Sequence, residues 1–509
     1  MGPNTASGAA QREMPEVFRP RAWWWLVAWA GAAALLLLLK LPTLHDPYFW
    51  DAVGCYYPQA LELAYNARNF LTGTPEFVRP PLYDGSMAAV MRWVSDTPLA
   101  LHIATVIWTA LTLPATYALT RTLGGGKLAS VLATALCLCT PLFFAQAPLI
   151  QTDLPATALM TMGWLMALRG RWVLYALFGG LAVLTKESTY YLCLPAAVLL
   201  YGRATQGRAV VSFKALLGTL PAAVPGVVLA GWLVVHRSIT GHFMHPDHSA
   251  ALGSVNNFLV ALLHNFVEGG RGLLAICALL VIVPMLRRSA AASRLRTGYP
   301  RLEILATSLL WISLPLGFPT ELARYMVPSL PALCALAALG LWQLGSMQRT
   351  AASALLLGVL ISLWNGDSWH SNWPHDAESN LEYRQVLWIE HETAARLLAV
   401  NPRRVLSEFP MRHILSAPAS AGYLPAPIPV QDLSSLHVPQ DVCKSDYLVM
   451  ASSTNHPVLE AARLLGYLVP WQTIGDTETA FGRRRLTPFW ARYDPSLRIF
   501  QVSCPDANK

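Results

Sequence analysis

Residues 23–51 read WWWLVAWAGAAALLLLLKLPTLHDPYFWD, and the change of character halfway through decides how the rest of the chain is read. Trp23 to Leu41 is apolar apart from Lys40, and as a helix it is long enough to cross a bilayer. Pro42 closes the run, and two acids, Asp46 and Asp51, follow at once among aromatic residues. Arg12, Arg19 and Arg21 precede the run, which is the order of features in a signal peptide. No clear small-residue cleavage site follows, however, and many further apolar runs do, so the segment reads as a retained anchor with its N-terminus inside. Residues 1–20 are polar, small and proline-bearing and read as disordered.

The composition agrees with that start. Of 509 residues, 54% are hydrophobic and only 13% are charged, too apolar for a soluble domain. The net charge of +8 would suit a nucleic-acid partner. In a membrane protein it reads instead as basic loops on one face, with no nucleic acid implied. Gly124-Gly125-Gly126-Lys127 lacks the spacing of a phosphate loop and reads as a turn between two spans.

Further apolar runs lie near 99–120, 128–147, 154–168, 172–185, 189–201, 215–235, 272–286, 303–319, 325–345 and 351–365. Allowing roughly twenty residues for each crossing, the chain is expected to be a polytopic α-helical membrane protein of about eleven spans. Arg121, Lys127, Arg169, Arg171, Arg203, Arg208, Lys214, Arg287, Arg288, Arg294, Arg296, Arg301 and Arg349 fall in alternate loops, on the side of the N-terminus. The positive-inside rule makes that side cytoplasmic. The loop 42–97, the turn at Gln151-Thr152-Asp153, Lys186-Glu187, the 236–270 loop and Glu321–Arg324 then lie outside. Within the first outer loop, Tyr57 to Phe70 has the spacing of an amphipathic surface helix.

After Asn365 the composition turns polar and mixed. Residues 366–509 are expected to form a small extracytoplasmic α/β domain, separate from the membrane domain of 21–365. Its helices are placed at Leu381 to Val400 and Val458–Leu465, and its strands at Arg404–Ser407, Tyr447–Met450 and Leu497–Val502. Of the eight cysteines, Cys443 and Cys504 lie in this polar region, where an oxidising compartment would allow a disulfide; two unpaired thiols are the alternative.

Ionisable residues beside a membrane are costly and usually face a partner or an aqueous cavity. Here Asp46, Asp51, Asp153, Lys186, Glu187, Glu321 and Arg324 all map to the same predicted outer face. Each has a structural explanation of its own: a helix cap for Asp153, an interfacial cation for Lys186, a local pair between Arg324 and Glu321. Taken together they suit group transfer from a phosphate-linked donor. A phosphate leaving group needs cations, for which Lys186, Arg324 and Arg79 are the candidates. An acceptor hydroxyl needs a carboxylate base, either Asp51 or Asp46. His242, His245 and His248 with Asp247 have partial metal-ligand spacing, but Pro246 interrupts it, and a polar loop near an acceptor is the preferred reading.

These residues resemble the GT-C glycosyltransferases, and within them the dolichyl-phosphate-mannose protein mannosyltransferase-like group with the bacterial lipid A aminoarabinose transferases. The resemblance rests on short elements in a fixed order: Trp50-Asp51 with Tyr56, Pro80-Pro81-Leu82, Gln151-Thr152-Asp153, Leu184-Thr185-Lys186, and Arg324-Tyr325 followed by Pro328 and Pro331. They cover roughly residues 20–345. The resemblance implies an inverting transferase in a bacterial inner membrane, using a polyprenyl-phosphate sugar donor and a lipid, glycan or protein acceptor, with membrane lipids around it. It places Asp51 as the catalytic acid residue. Asp153, Gln151, Glu187, Tyr56 and Tyr325 become candidates for positioning donor or acceptor. The resemblance makes no cofactor certain; some relatives use a divalent cation, so one stays open here. Two departures stand out. The usual Asp-Glu pair reads Asp51-Ala52, and the lysine before Pro-Pro-Leu is Arg79. A transporter or flippase of a lipid-linked or amphipathic substrate is the alternative, and a scaffold or sensor protein a third.

Overall fold

The computed structural model describes residues 20–66, 79–205, 212–243, 270–287, 300–317, 323–366, 383–451, 456–474 and 497–504, with isolated residues at 259, 262, 265–267 and 381. The expectations for residues 1–19, Phe70, His245, Asp247, His248 and Glu321 fall outside them.

Helix α1 (Ala22–Lys40) is the predicted anchor, and Pro42 in the following 3-10 turn ends it. It exposes Trp23, Leu26, Val27, Leu35, Leu38 and Leu39, as a helix at the rim of a membrane bundle would. The first polar loop carries α2 (Tyr57–Tyr65) and a helix not expected from the sequence, α3 (Pro81–Trp93). The two run side by side in the same direction. Tyr56 meets Tyr83 at one end, and Arg92 donates to the Ala64 carbonyl at the other (3.2 Å).

The bundle continues with α4 (Pro98–Ala110), α5 (Thr112–Thr122), α6 (Lys127–Cys139), α7 (Pro141–Gln146), α8 (Asp153–Leu168), α9 (Trp172–Thr185) and α10 (Cys193–Ala204). After these come α11 (Phe213–Leu217), α12 (Val224–Thr240), α13 (Arg271–Arg287), α14 (Arg301–Gly317), α15 (Leu330–Met347) and α16 (Arg349–Gly366). Every apolar run found in the sequence contains a helix, but the runs do not map one to one onto crossings. The 99–120 run is interrupted at Leu111 and the 128–147 run at Thr140. Among the described residues, four stretches are long and apolar enough to cross a membrane unaided: Ala22–Thr43, Pro98–Thr122, Phe213–Thr240 and Ala323–Met347. The count of eleven goes beyond what these lengths establish.

Helix α8 is the centre of the bundle, with every residue from Asp153 to Leu168 buried, and α15 is buried continuously from Leu330 to Leu341. Helices apolar on all sides belong in such a position. Thr157 and Thr161 turn their hydroxyls back to the carbonyls four residues earlier (both 2.7 Å), which hides polar groups inside apolar surroundings. Small residues bring the backbones close: a Cβ on Gly163 would stand 3.3 Å from the Gly179 nitrogen, so α8 and α9 pack almost backbone to backbone.

The C-terminal part opens with α17 (Tyr383–Val400) and holds a five-stranded mixed sheet. Its strands are β1 (Val405–Ser407), β2 (Val430–Asp432), β3 (Tyr447–Ala451), β4 (Leu468–Ile474) and β5 (Leu497–Val502), in the order β2-β1-β3-β5-β4. β2, β1 and β3 are parallel, and β5 runs antiparallel to both β3 and β4. Helices α18 (Met411–Ser416) and α19 (Pro457–Leu464) complete it. Cys443 and Cys504 are joined in a disulfide, which ties the end of β5 to the turn before β3. One cluster, with Leu406, Leu433, Val442, Leu448, Leu459 and Leu468, belongs to this α/β layer alone, and a second joins it to the membrane part. Ile389, Val405, Ile414 and Ile499 share one cluster with Tyr48, Phe49, Val53 and Tyr56 of the first polar loop.

Candidate functional site

The chain around Asp51 is unusual before any contact is considered. Trp50 has a positive φ of 50°, rarely adopted by a bulky residue and costing about 1–3 kcal/mol. A turn of π-helix follows at once over Ala52–Tyr56, again a feature that tends to mark functional positions. Both irregularities aim residues 51–56 at groups that arrive from far along the chain.

Asp51 is held by two arginines. Arg324, at the start of a 3-10 segment (Ala323–Ser329) before α15, bonds its Oδ2, and Arg79 lies 3.6 Å from the same oxygen. Arg79 also donates to the Tyr56 hydroxyl and stacks over that ring with its guanidinium carbon 4.4 Å from the centroid. The Tyr56 hydroxyl in turn lies 3.3 Å from Thr152 Oγ1. Next along the chain, Asp153 opens α8 and pairs with Lys186, which ends α9. The Lys186 ammonium sits over the Tyr325 ring at 3.6 Å, and Arg324 approaches that ring at 5.4 Å. The contacts thus close a circuit through Asp51, Arg79, Tyr56, Thr152-Asp153, Lys186 and Tyr325-Arg324.

Burial makes these charges consequential. Lys186 and Asp153 expose 3% and 0% of their side chains, and Arg324 exposes 4%. Burial on its own would raise the Asp51 carboxyl; Arg324 and Arg79 more than offset it and hold Asp51 below the usual carboxylate range. In the structure as it stands, Asp51 is an anion and a weak base.

The other sequence candidates divide. Gln151 is buried beside this circuit, and its backbone hydrogen-bonds the Tyr83 hydroxyl. Glu187 begins the short 3-10 turn Glu187–Leu192 directly after Lys186. Asp46 is engaged elsewhere: Arg384 of α17 donates to its Oδ2 at 2.9 Å and also to the Pro42 carbonyl. It ties the first loop to the α/β layer.

One acid in this loop does not stand out in the sequence. Asp84, in the first turn of α3, is fully buried, and neither carboxylate oxygen has a hydrogen-bond partner among the described residues. Burial, opposed in part by Arg79, pushes it up to about 7. The available signal is Pro81, a helix-starting residue three positions before it. Glu390 on α17 is a second such group, pushed up to about 8 by burial and hydrogen-bonded to Tyr423 (3.1 Å), whose hydroxyl also lies 3.0 Å from the Tyr48 carbonyl. Both carboxyls hold a proton in the folded protein at pH values where the unfolded chain has lost it. Their contribution to stability is therefore complete below about pH 4 and is lost as pH rises through 7 to 8. Asp84→Asn and Glu390→Gln should each flatten the fall of Tm between pH 5 and 8.5 and raise Tm at the alkaline end. Thermal unfolding in detergent across that range is the measurement.

The Lys186–Asp153 pair carries a separate expectation. Removing one partner leaves a buried charge uncompensated, at a cost of about 3–5 kcal/mol. Lys186→Met alone should lower Tm sharply, and Lys186→Met with Asp153→Leu should recover most of the loss without recovering activity. An equal loss of Tm in the double variant would show that the pair is not the source of the effect.

Fold and site together define a polytopic helical membrane protein whose charged centre is built on polar loops and covered by a small α/β layer. The arrangement is that of the GT-C fold. Residues 78–232 match the family model described as dolichyl-phosphate-mannose-protein mannosyltransferase. Among solved structures, the chain is similar to ArnT from Cupriavidus metallidurans in its apo state, with a TM-score of 0.53 at 16% identity over 94% of this chain and 98% of that one. The same ArnT bound to undecaprenyl phosphate gives 0.52 at 16% identity, with the same coverage. The apo oligosaccharyltransferase of Archaeoglobus fulgidus gives 0.50 at 12% identity, over 91% of this chain and 75% of that one. No curated protein matches the sequence significantly.

Proposed function

We propose that the chain is an integral-membrane glycosyltransferase that moves a sugar, with inversion, from a polyprenyl-phosphate donor to a hydroxyl acceptor at the periplasmic face of a bacterial inner membrane. The observation that carries this reading is the grip of Arg79 and Arg324 on Asp51. Two guanidiniums converging on one carboxylate oxygen also form a site for a phosphate, which offers them more oxygens and more charge. The match of residues 78–232 to the mannosyltransferase family and the likeness to a protein solved with undecaprenyl phosphate support the same donor class.

Arrival of the donor phosphate draws the arginines off Asp51. Its basicity then returns toward the ordinary carboxylate range, and it can accept the proton of an acceptor hydroxyl. The acceptor oxygen bonds to the anomeric carbon from the face opposite the phosphate, and the bond from that carbon to the phosphate oxygen breaks. The proton goes to Asp51, and the polyprenyl phosphate leaves with its charge on Arg79, Arg324 and Lys186. Asp153 holds Lys186 in place, while Tyr56 and Tyr325 wall the phosphate site. Gln151 and Glu187 flank it, within range of donor or acceptor. Asp46, bound to Arg384, braces the loop in this scheme. Without the donor the base is disarmed by the two arginines.

The test is reconstitution in proteoliposomes with a labelled polyprenyl-phosphate sugar, with and without a chelator. Label should pass to a hydroxyl acceptor and leave free polyprenyl phosphate. Movement of intact label across the bilayer, with no transfer, would replace the reading with a transporter.

A further inference from the structure

Asp51 sits on a backbone that does not hold its own shape. The φ of 50° at Trp50 needs an external constraint, and the turn carrying Asp51 closes on the Trp50 carbonyl, to which Val53 and Gly54 both donate (3.1 Å each). One side chain of the α/β layer touches both ends of this turn. The Phe409 ring meets the Trp50 ring edge to face, with centroids 5.1 Å apart and planes at 86°. It also fills the space above Gly54, where a Cβ would stand 2.5 Å from Phe409 Cε2 and 3.5 Å from His413 Cδ2. Gly54 is the position at which Phe409 can approach the backbone only because no side chain intervenes.

Phe409 is itself braced. Its ring packs edge-on to His413 at 5.8 Å, and His413 Nε2 accepts a hydrogen bond from Arg412 Nε (3.0 Å). The Arg412 guanidinium also pairs with Asp432 at the end of β2, so the position of Phe409 is referred to the sheet.

We propose that Phe409 is a positioning residue, a wedge that fixes the Trp50–Gly54 turn and through it the direction of the Asp51 carboxylate. The α/β layer would on this account act in catalysis through one aromatic contact with the first loop. The proposal rests on the reading of Asp51 as the base, but the contact can be tested apart from it.

Two readouts separate the two claims. The first is a double-variant cycle on transfer. Gly54→Ala, which thrusts a methyl group into the ring, and Phe409→Ala, which removes the wedge, should each lower kcat about tenfold or more while the donor KM moves little, since small misplacements of a reacting group cost rate. In the Phe409→Ala background, Gly54→Ala should cost almost nothing further. Phe409→Leu, a shorter apolar wedge, should lie between wild type and Phe409→Ala, and it takes the place of Phe409→Ala if that variant does not fold. The second readout needs no activity. Cys55 lies inside the same turn, half-buried, and can be followed by alkylation once Cys137, Cys139, Cys193, Cys277 and Cys334 are replaced. Loss of the wedge should speed Cys55 labelling several-fold. Wild-type labelling in Phe409→Ala together with wild-type kcat would overturn the proposal, as would an equal cost of Gly54→Ala with and without Phe409. If wild type shows no transfer at all, the enzymatic reading fails and Cys55 labelling alone decides whether the wedge exists.

Discussion

Asp51→Asn is expected to lower sugar transfer about a thousandfold, within the range for loss of a positioned general base. The substitution keeps the shape of the side chain and removes only its charge and basicity. It also leaves Arg79 and Arg324 facing a neutral amide, so Tm should fall somewhat while the shape of the site is kept. Initial rates with saturating donor and acceptor are the measurement, with Tm beside them to show that the fold survives. A variant with full turnover would move the base elsewhere. Asp46 would then be the next candidate despite its bond to Arg384.

Arg324→Gln is expected to have the second largest effect, about a hundredfold to a thousandfold on turnover, as for other removals of a charge-stabilising donor in a closed site. Arg324 lies at the junction of the circuit, bonded to Asp51 and beside the Tyr325 ring that Lys186 covers. Its loss weakens the grip on the phosphate before reaction and on the departing polyprenyl phosphate after it. Donor KM should therefore rise while kcat falls. Arg324→Lys should rescue little, because an ammonium cannot reproduce the planar fork of a guanidinium. A steady-state comparison of the three proteins decides this, and full rescue by lysine would mean that charge alone is used.

Much of this site is legible in the amino-acid sequence alone. Asp51, Asp153, Lys186 and Arg324 stand out because each is an ionisable residue close to an apolar run, where it must have a reason to be, and Arg79 because it precedes Pro80-Pro81-Leu82. The signal is cost, and cost is local, so a sequence can carry it. Which partner each residue takes is decided over long separations and cannot be read that way. Arg324 meets Asp51, 273 positions back, and Asp46 could have sat beside Asp51, yet it meets Arg384, 338 positions along the chain. Asp84 is silent for the opposite reason: in a loop that looks water-exposed, an acid costs nothing, and only the packing of α3 against α2, α4 and α9 brings burial.

The fold is legible to a similar depth. Apolar runs locate the helices, because burial in lipid leaves a long, uniform signature. Their interruptions at Leu111, Thr140 and Pro328 are blurred within the same runs, so the number of crossings does not follow from them. Strand β5 shows in its partial alternation, with Leu497 and Ile499 buried about an exposed Arg498, and β3 as a short apolar run. β2 is three residues long, and its neighbours, not its own sequence, make it a strand. The contact of Phe409 with Gly54 leaves no trace at either position.

On the proposed mechanism, one pair of arginines serves Asp51 and the donor phosphate in turn. Equilibrium binding of polyprenyl phosphate to the wild type and to Asp51→Asn, by calorimetry in nanodiscs, tests it most directly. The account predicts that the variant binds the phosphate at least as tightly as the wild type, because the competing carboxylate charge is gone, although its turnover is lost. Binding that weakens in step with turnover would contradict it.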